Sequence, residues 1–280
     1  MSAQRATVAP LRREHLPQVR PLLEDPAMSC FAEARLFPLP GEPGTPGPPS
    51  GLGYWVEGQL RSVCLLGANL VPVAAGPDAV EAFADALRRT GRRASSILGP
   101  AEAVLALWER LEPAWGRARE VRPVQPMLAI AVGPQCEPDP YVRPVLPGQL
   151  DAYLPASVAM FTEEVGIDPQ AGGMELLYRQ RVAGLIAQGR ALARWYEGRV
   201  VFKAELGAVS PRAVQVQGVW VAPQYRGRGL SIGGMASVVA HGLQVAPMVT
   251  LYVNDYNAPA LAAYRRVGFE QVGTFATVLF

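Results

Sequence analysis

One stretch of this chain occurs twice. Trp55-Val56-Glu57-Gly58 through Leu66-Gly67-Ala68 and Trp195-Tyr196-Glu197-Gly198 through Leu206-Gly207-Ala208 stand 140 residues apart (195 − 55), and six of their fourteen positions are identical. Each is a pair of apolar runs broken at Glu-Gly, the pattern of a β-hairpin. The likeness extends both ways. Val8–Leu11 and the helical stretch after it match Val142–Val145 and Leu150–Phe161, while Ser95–Leu98 with Ala101–Leu111 match Thr250–Val253 with Ala258–Val267. Each half reads β-α-α-β-β-β-α-β-α-β. A 280-residue chain that repeats this alternation at half its length is expected to fold as two like lobes, each an α/β sheet flanked by helices. Half of the residues are hydrophobic, enough to give each lobe a core. Gly133–Pro140, with prolines at 134, 138 and 140, suits a linker and divides the chain into 1–135 and 141–280. Pro38–Gly53, rich in proline and glycine, reads as a surface loop.

Composition excludes several classes. Twenty-six basic and 24 acidic residues are interspersed, without the one-sided basic clustering of a nucleic-acid binder. Cys30, Cys64 and Cys136 show no Cys-x-x-Cys spacing, and the two histidines, His15 and His241, lie far apart, so no metal site is expected. The N-terminus has no apolar signal region, and no run of 18 apolar residues exists to span a membrane. The expectation is a soluble cytoplasmic protein, a monomer or homodimer, with no nucleic-acid or membrane partner. Lys203 is the only lysine.

The strongest local signal begins at Val214-Gln215-Val216-Gln217-Gly218-Val219-Trp220-Val221, an apolar alternation that reads as a strand. It runs through Pro223 into Gln224-Tyr225-Arg226-Gly227-Arg228-Gly229, and then into a helix over Leu230–Gln244 rich in Gly233, Gly234, Ala236, Ser237 and Ala240. A helix start presents unpaired N–H groups and the positive end of its dipole to an anion. Gly227 and Gly229 allow a tight loop that a phosphate approaches closely, Arg226 and Arg228 add charge, and the small residues let the helix lie close to the sheet. No Gly-Lys-Ser/Thr follows, as a Walker loop requires, and the dinucleotide spacing is missing.

This loop resembles Gln/Arg-x-x-Gly-x-Gly/Ala, the acetyl-CoA pyrophosphate signature of the GNAT N-acetyltransferase superfamily. The resemblance implies two tandem GNAT-like lobes, each a mixed, mostly antiparallel sheet flanked by helices. It also implies acetyl-CoA as cosubstrate, held by Gln224, Arg226, Gly227, Arg228, Gly229, Leu230 and Ser231. The strand before the loop, through Val219 and Val221, would hold the thioester oxygen and pantetheine with its backbone N–H groups. A second motif follows a short strand at Leu251–Val253. Asn254 and Asn257 precede a helix that has Pro259 in its first turn, Tyr264 within it and Gly268 at its end. In the superfamily this segment contacts the pantetheine arm, which implies cofactor-binding roles for Asn254 and Asn257 and a general-acid role for Tyr264 at the CoA sulfur. A plain cap at Asn257 and a packed aromatic at Tyr264 are the structural alternatives.

The first half has the skeleton without the chemistry. Ala75-Gly76-Pro77-Asp78 stands where the second half has its glycine loop, and Trp108 stands in the helix comparable to that of Tyr264. It resembles the degenerate lobe of tandem GNAT proteins whose N-terminal half is known only as a domain of unknown function.

The resemblance implies acetyl transfer to a primary amine, on a small molecule or a peptide, by direct attack in a ternary complex. The half carrying the glycine loop has no cysteine to form a covalent intermediate. Where many relatives carry a glutamate base on the strand before the loop, this chain has Gln215 and Gln217, so the base is sought elsewhere. Lys203 and Glu205 share one face of a strand where the first half has Val63 and Leu65. Glu163 and Glu164 close the first helix of the second half, a wall of the acceptor site in this superfamily. Glu164 and Glu205 are the catalytic candidates, with Glu164 favoured over Glu163. A non-catalytic acyl-CoA-binding regulator is the alternative; it would keep the glycines without needing Tyr264.

Overall fold

A computed structural model describes residues 6–38 and 50–280. The first half runs β1 (Ala6–Pro10), α1 (Leu16–Val19), α2 (Pro26–Leu36), β2 (Gly51–Val56), β3 (Gln59–Leu65), β4 (Asn69–Val73), α3 (Pro77–Thr90), β5 (Ser96–Pro100), α4 (Ala101–Trp115) and β6 (Glu120–Ile130). The second runs β7 (Val142–Pro144), α5 (Leu150–Val165), α6 (Glu175–Ala187), β8 (Ala191–Tyr196), β9 (Arg199–Val209), β10 (Val214–Val221), α7 (Leu230–Gly242), β11 (Val249–Tyr252), α8 (Ala258–Val267) and β12 (Glu270–Leu279). Both follow the order read from the sequence. Most of the Pro38–Gly53 stretch, residues 39–49, lies outside the described residues; its end is not loop, because Gly51–Gly53 form the start of β2, paired with both β1 and β3.

The repeated hairpins repeat in their backbone. Glu57 and Gly58 have φ of 52° and 80°, and Glu197 and Gly198 have 47° and 73°. Two left-handed residues in succession make the tight turn whose twist matches antiparallel strands. Each hairpin also has a register irregularity at the same place, between Tyr54 and Trp55 and between Arg194 and Trp195.

Two compact units result. The first holds the described residues up to Leu128, with Tyr252–Tyr256 and Gln271–Phe280; the second holds Ala129–Leu251 with Asn257–Glu270. The sheet of the first has the order β1-β2-β3-β4-β5-β12-β6, and that of the second β11-β10-β9-β8-β7. In each, one parallel pair (β4 with β5, β10 with β11) sits among antiparallel neighbours. Each is the mixed, mostly antiparallel sheet expected.

The last strand joins the sheet of the first unit: β12 pairs antiparallel with β5, from Phe275↔Pro100 to Leu279↔Ser96. The reason lies in its side chains: Ala276 and Val278 are fully buried in a cluster with Phe83, Ile97, Leu107 and Leu111 of the first unit. Trp108 belongs to the same cluster, with its ring 5.4 Å from that of Phe280, so its role is packing. In the second unit, Tyr153, Tyr178, Val182 and Ile186 of α5 and α6 cover Ala191, Ala193 and Val200. Gly234 of α7 lies so close to β9 that an added Cβ would stand 2.7 Å from the Phe202 ring.

The placement of β12 is testable. Val278→Asp puts an uncompensated charge at a position with no exposure and is expected to cost at least ~3 kcal/mol. Hydrogen exchange should then show lost protection at Ile97 and Leu98 of β5. Loss confined to β9 and β10 would contradict the assignment.

Candidate active site

The site is built where β10 leaves its parallel neighbour. Val214 pairs with Val249 and Gln215 with Thr250, but β10 runs on to Val221. Its first three residues are buried and its last five half-buried. On the other side, the pairing with β9 is regular at Gln217↔Glu205 and resumes at Trp220↔Lys203, with a bulge between. Gly218 sits in that bulge with φ +59°.

Beyond β10 the chain makes one turn of 3-10 helix, Pro223–Tyr225, which places Gln224 at the surface, and then enters the glycine loop. Gly227 and Gly229 have φ of +72° and +78°, and Gly229 caps α7, whose first residues are Leu230 and Ser231. A Cβ built on either glycine meets nothing within 4 Å. The loop is therefore backbone open to solvent on that side, at a helix start whose first N–H groups have no intrahelical acceptor. These residues fit the diphosphate of acetyl-CoA.

The arginines divide. Arg228 lies over the Tyr225 ring at 5.3 Å, and both line a small cleft with Arg194, Tyr196, Val201 and Leu230. Arg226 is engaged within the protein. Its Nε donates to the Val221 carbonyl at 3.0 Å and its guanidinium pairs with Glu163, which also accepts from Trp220 Nε1 at 3.1 Å. Glu163 is thereby engaged as a tie between the end of α5 and the loop. An exposed pair of this kind contributes at most about 1 kcal/mol, so its effect is on orientation.

On α8, Asn257 is the N-cap, accepting from Ala260 N at 3.2 Å, and Gly268 ends the helix with φ +111°. Tyr264 is 7% exposed, its ring edge-on to Phe269. Burial, and then the negative charge of Glu164, push its phenol well above the ordinary value of 10. Two of the three catalytic candidates are thus within electrostatic reach of each other. Asn254 lies in the first unit, at the end of a polar chain there. Thr277 Oγ1 donates to Gln125 Oε1 at 2.6 Å, Gln125 Nε2 to Asn254 Oδ1 at 2.8 Å, and Asn254 Nδ2 to the Tyr256 hydroxyl at 2.8 Å. Gln125 and Thr277, both buried, carry no motif, and only the folded sheet reveals their connection to Asn254.

Glu205 is enclosed by its partners. It is 2% exposed, bonded to Lys203 Nζ at 2.7 Å and to the Tyr153 hydroxyl at 3.2 Å. Burial alone would raise its carboxyl, but the Lys203 ammonium beside it holds it below the usual carboxylate value. A buried, paired carboxylate with a lowered pKa is a poorer base than a free one.

Comparison with known proteins adds the family. Residues 159–269 match the acetyltransferase (GNAT) family, and residues 50–153 match a domain of unknown function (DUF4081). A mycothiol acetyltransferase of Saccharomonospora viridis is 37% identical over 107 residues, which cover 34% of this chain and 34% of that protein. The match thus spans about a third of the relative's length. The GCN5-related N-acetyltransferase of Sphaerobacter thermophilus superposes over 99% of this chain and 96% of its own, at 16% identity and a TM-score of 0.59. A tandem GNAT protein from the clavulanic acid biosynthesis pathway covers 98% of both chains, at 14% identity and a TM-score of 0.52. Residues 159–269 are thus similar to the acetyltransferase (GNAT) family, and the chain shares the fold of tandem GNAT proteins over nearly its whole length. The glycine loop, Tyr264 and Glu164 all lie within the matched segment. Among the described residues, no helix is long and apolar enough to cross a membrane, and no group of three or more His, Cys, Asp or Glu side chains is placed to hold a metal.

The loop geometry predicts one acetyl-CoA site per chain. Gly229→Val forces a branched side chain into a left-handed backbone and fills the open face. It should weaken acetyl-CoA binding at least tenfold in calorimetry while the circular dichroism stays that of the wild type. Two equivalent sites per chain would contradict this reading.

Proposed function

We propose that this protein transfers the acetyl group of acetyl-CoA to a primary amine, by direct attack of the amine within a ternary complex. One observation carries the reading: the lobe with the open Gly227–Gly229 loop also holds a buried tyrosine kept protonated by its surroundings. Acetyl-CoA supplies the thioester carbonyl that the amine attacks. The chain's own groups do the rest. The loop and the start of α7 hold the diphosphate, together with Gln224, Leu230 and Ser231. The half-buried end of β10, at Val219 and Val221, lies along the pantetheine, and Asn257 is assigned to the same arm. As the new C–N bond forms and the C–S bond breaks, Tyr264 gives its proton to the departing sulfur. The proton lost from the attacking nitrogen passes to Glu164 or to water, and Glu164 also attracts the acceptor's ammonium before that proton leaves.

The cysteines support direct attack. Cys64 is fully buried, its thiol pushed up to about 12 by burial, and Cys30 is buried as well. Both lie in the first unit. Burial also raises the thiol of Cys136. A thiol that stays protonated is a weak nucleophile.

Three outcomes test the proposal. Tyr264→Phe should lower kcat on the order of 10²-fold with little change in the KM for acetyl-CoA; unchanged kcat, with chemistry rate-limiting, would contradict the general-acid role. An acid must be protonated to act, so activity is lost as pH rises through its pKa. With the Tyr264 phenol raised, kcat should stay level through pH 10, where an ordinary tyrosine would already be half ionised. A kcat that falls below pH 10 would place the acid elsewhere. Glu164→Gln should raise the KM for the amine several-fold and leave acetyl-CoA affinity unchanged; an unchanged amine KM would remove Glu164 from the acceptor site.

A further inference from the structure

Lys203 and Glu205 form a fully buried ion pair in a protein with one lysine. Lys203 is 0% exposed and its ammonium has three neighbours: Glu205 Oε1 at 2.7 Å, the Gly218 carbonyl at 3.2 Å, and the Tyr153 ring, whose centroid is 5.4 Å away. Desolvating two charges is costly, and an apolar pair of similar volume often gives equal or greater stability. Stability alone therefore does not account for this pair.

The molecule contains its own comparison. In the first unit the positions 140 residues earlier are Val63 and Leu65, and there β3 and β4 pair without interruption, Val63↔Val73 and Leu65↔Val71. In the second unit Glu205↔Gln217 and Lys203↔Trp220 enclose one extra residue on β10. The buried charges and the bulge occur together in one lobe and are both missing from the other. The contact is close: a Cβ on Gly218 would stand 2.9 Å from Met160 Cε and 3.2 Å from Lys203 Nζ, and its φ of +59° already favours glycine.

We infer that Lys203, held in place by Glu205 and Tyr153, is a positioning residue for acetyl transfer: by binding the Gly218 carbonyl it fixes the bulge so that the Val219 N–H points into the groove as a donor to the acetyl oxygen. The inference rests on the acetyltransferase reading above. The link is the peptide plane. No peptide bond among the described residues is cis, so the Gly218 C=O and the Val219 N–H point in opposite directions across one rigid unit. A carbonyl turned toward the Lys203 ammonium sends the N–H the other way, away from Lys203, Glu205 and Tyr153. A donor fixed before the reaction stabilises the developing oxyanion without reorganising when charge appears. Lys203 touches no reacting atom; it sets the direction of one that does.

The test uses the full chain carrying Lys203→Met, Glu205→Leu and Tyr153→Phe together, which removes both buried charges and the hydroxyl bonded to them and leaves the Gly218 carbonyl without its Lys203 donor. The readout is the 13C resonance of the carbonyl of labelled acetyl-CoA, free and bound, with no amine present. Polarisation by the Val219 N–H should move that resonance downfield in the wild-type complex. In the triple variant it should return toward the free position, while acetyl-CoA affinity stays within about threefold. In turnover, kcat should fall on the order of 10²-fold with the KM for acetyl-CoA nearly unchanged. Should the triple variant fail to fold, Lys203→Gln with Glu205→Gln withdraws the ammonium and reads the same shift. A folded variant that keeps both the bound shift and kcat overturns the inference, as does a wild-type complex with no shift. A wild type that binds acetyl-CoA with the shift yet releases thiol with no amine contradicts the acetyltransferase reading and leaves the positioning of the acetyl carbonyl standing.

Discussion

The parting of β10 from β11 is the feature on which the rest of the active lobe depends. Two parallel strands meet at Val214↔Val249 and Gln215↔Thr250, and β10 then continues without pairing in that register. A sheet whose strands stayed paired to their ends would have no groove and no spare backbone donors. The bulge at Gly218 lies within the parted segment, and the glycine loop begins where β10 stops. The half-buried character of Gln217–Val221 follows from the same event. The first lobe parts its strands as well, since β4 and β5 are paired only at Asn69↔Ser96 and Leu70↔Ile97. There, however, β4 carries no bulge, and Gly76-Pro77-Asp78 follow in place of the loop.

The two lobes therefore share a backbone plan and differ in chemistry. The turns at Glu57-Gly58 and Glu197-Gly198, and the irregularities before Trp55 and Trp195, persist because they are conditions of folding. What distinguishes the second lobe is polar: the left-handed glycines at 227 and 229, the Lys203–Glu205 pair, and Tyr264 where the first lobe has the packed Trp108. Each of these is a worse choice than an apolar residue for stability alone, since left-handed glycines restrict little of the unfolded chain and buried charges must be desolvated. Their presence beside the glycine loop is what the proposal of chemistry in that lobe rests on.

Much of this was legible in the sequence, because the signals were local or periodic. The repeat gave the element order of both halves, Asn257 and Gly268 marked the ends of α8, and Gly227 and Gly229 marked the loop. The failures share a cause, which is that partners distant in sequence decide them. Nothing in the alternation of β12 tells whether Val278 packs with its own half or with Ile97 and Leu111. Glu163 and Arg226 stand 63 positions apart and neutralise each other, so neither residue alone shows that the carboxylate is engaged. Glu205 on an alternating strand reads the same whether its face meets an acceptor or, as it does, Tyr153 and Lys203. Gln125 and Thr277 fit no motif, because only the folded sheet brings them to Asn254.

The account's central claim is that acetyl moves from acetyl-CoA to an amine in one step, in the lobe that carries the glycine loop. Rapid mixing of the protein with radiolabelled acetyl-CoA, quenched in acid before and after addition of an amine substrate, tests it most directly. The account predicts that all label stays with CoA until the amine arrives and then appears on the amine, with no labelled protein at any time. Label bound covalently to the protein and chased from it by the amine would contradict direct attack, and label that never leaves CoA with any amine would contradict acetyl transfer itself.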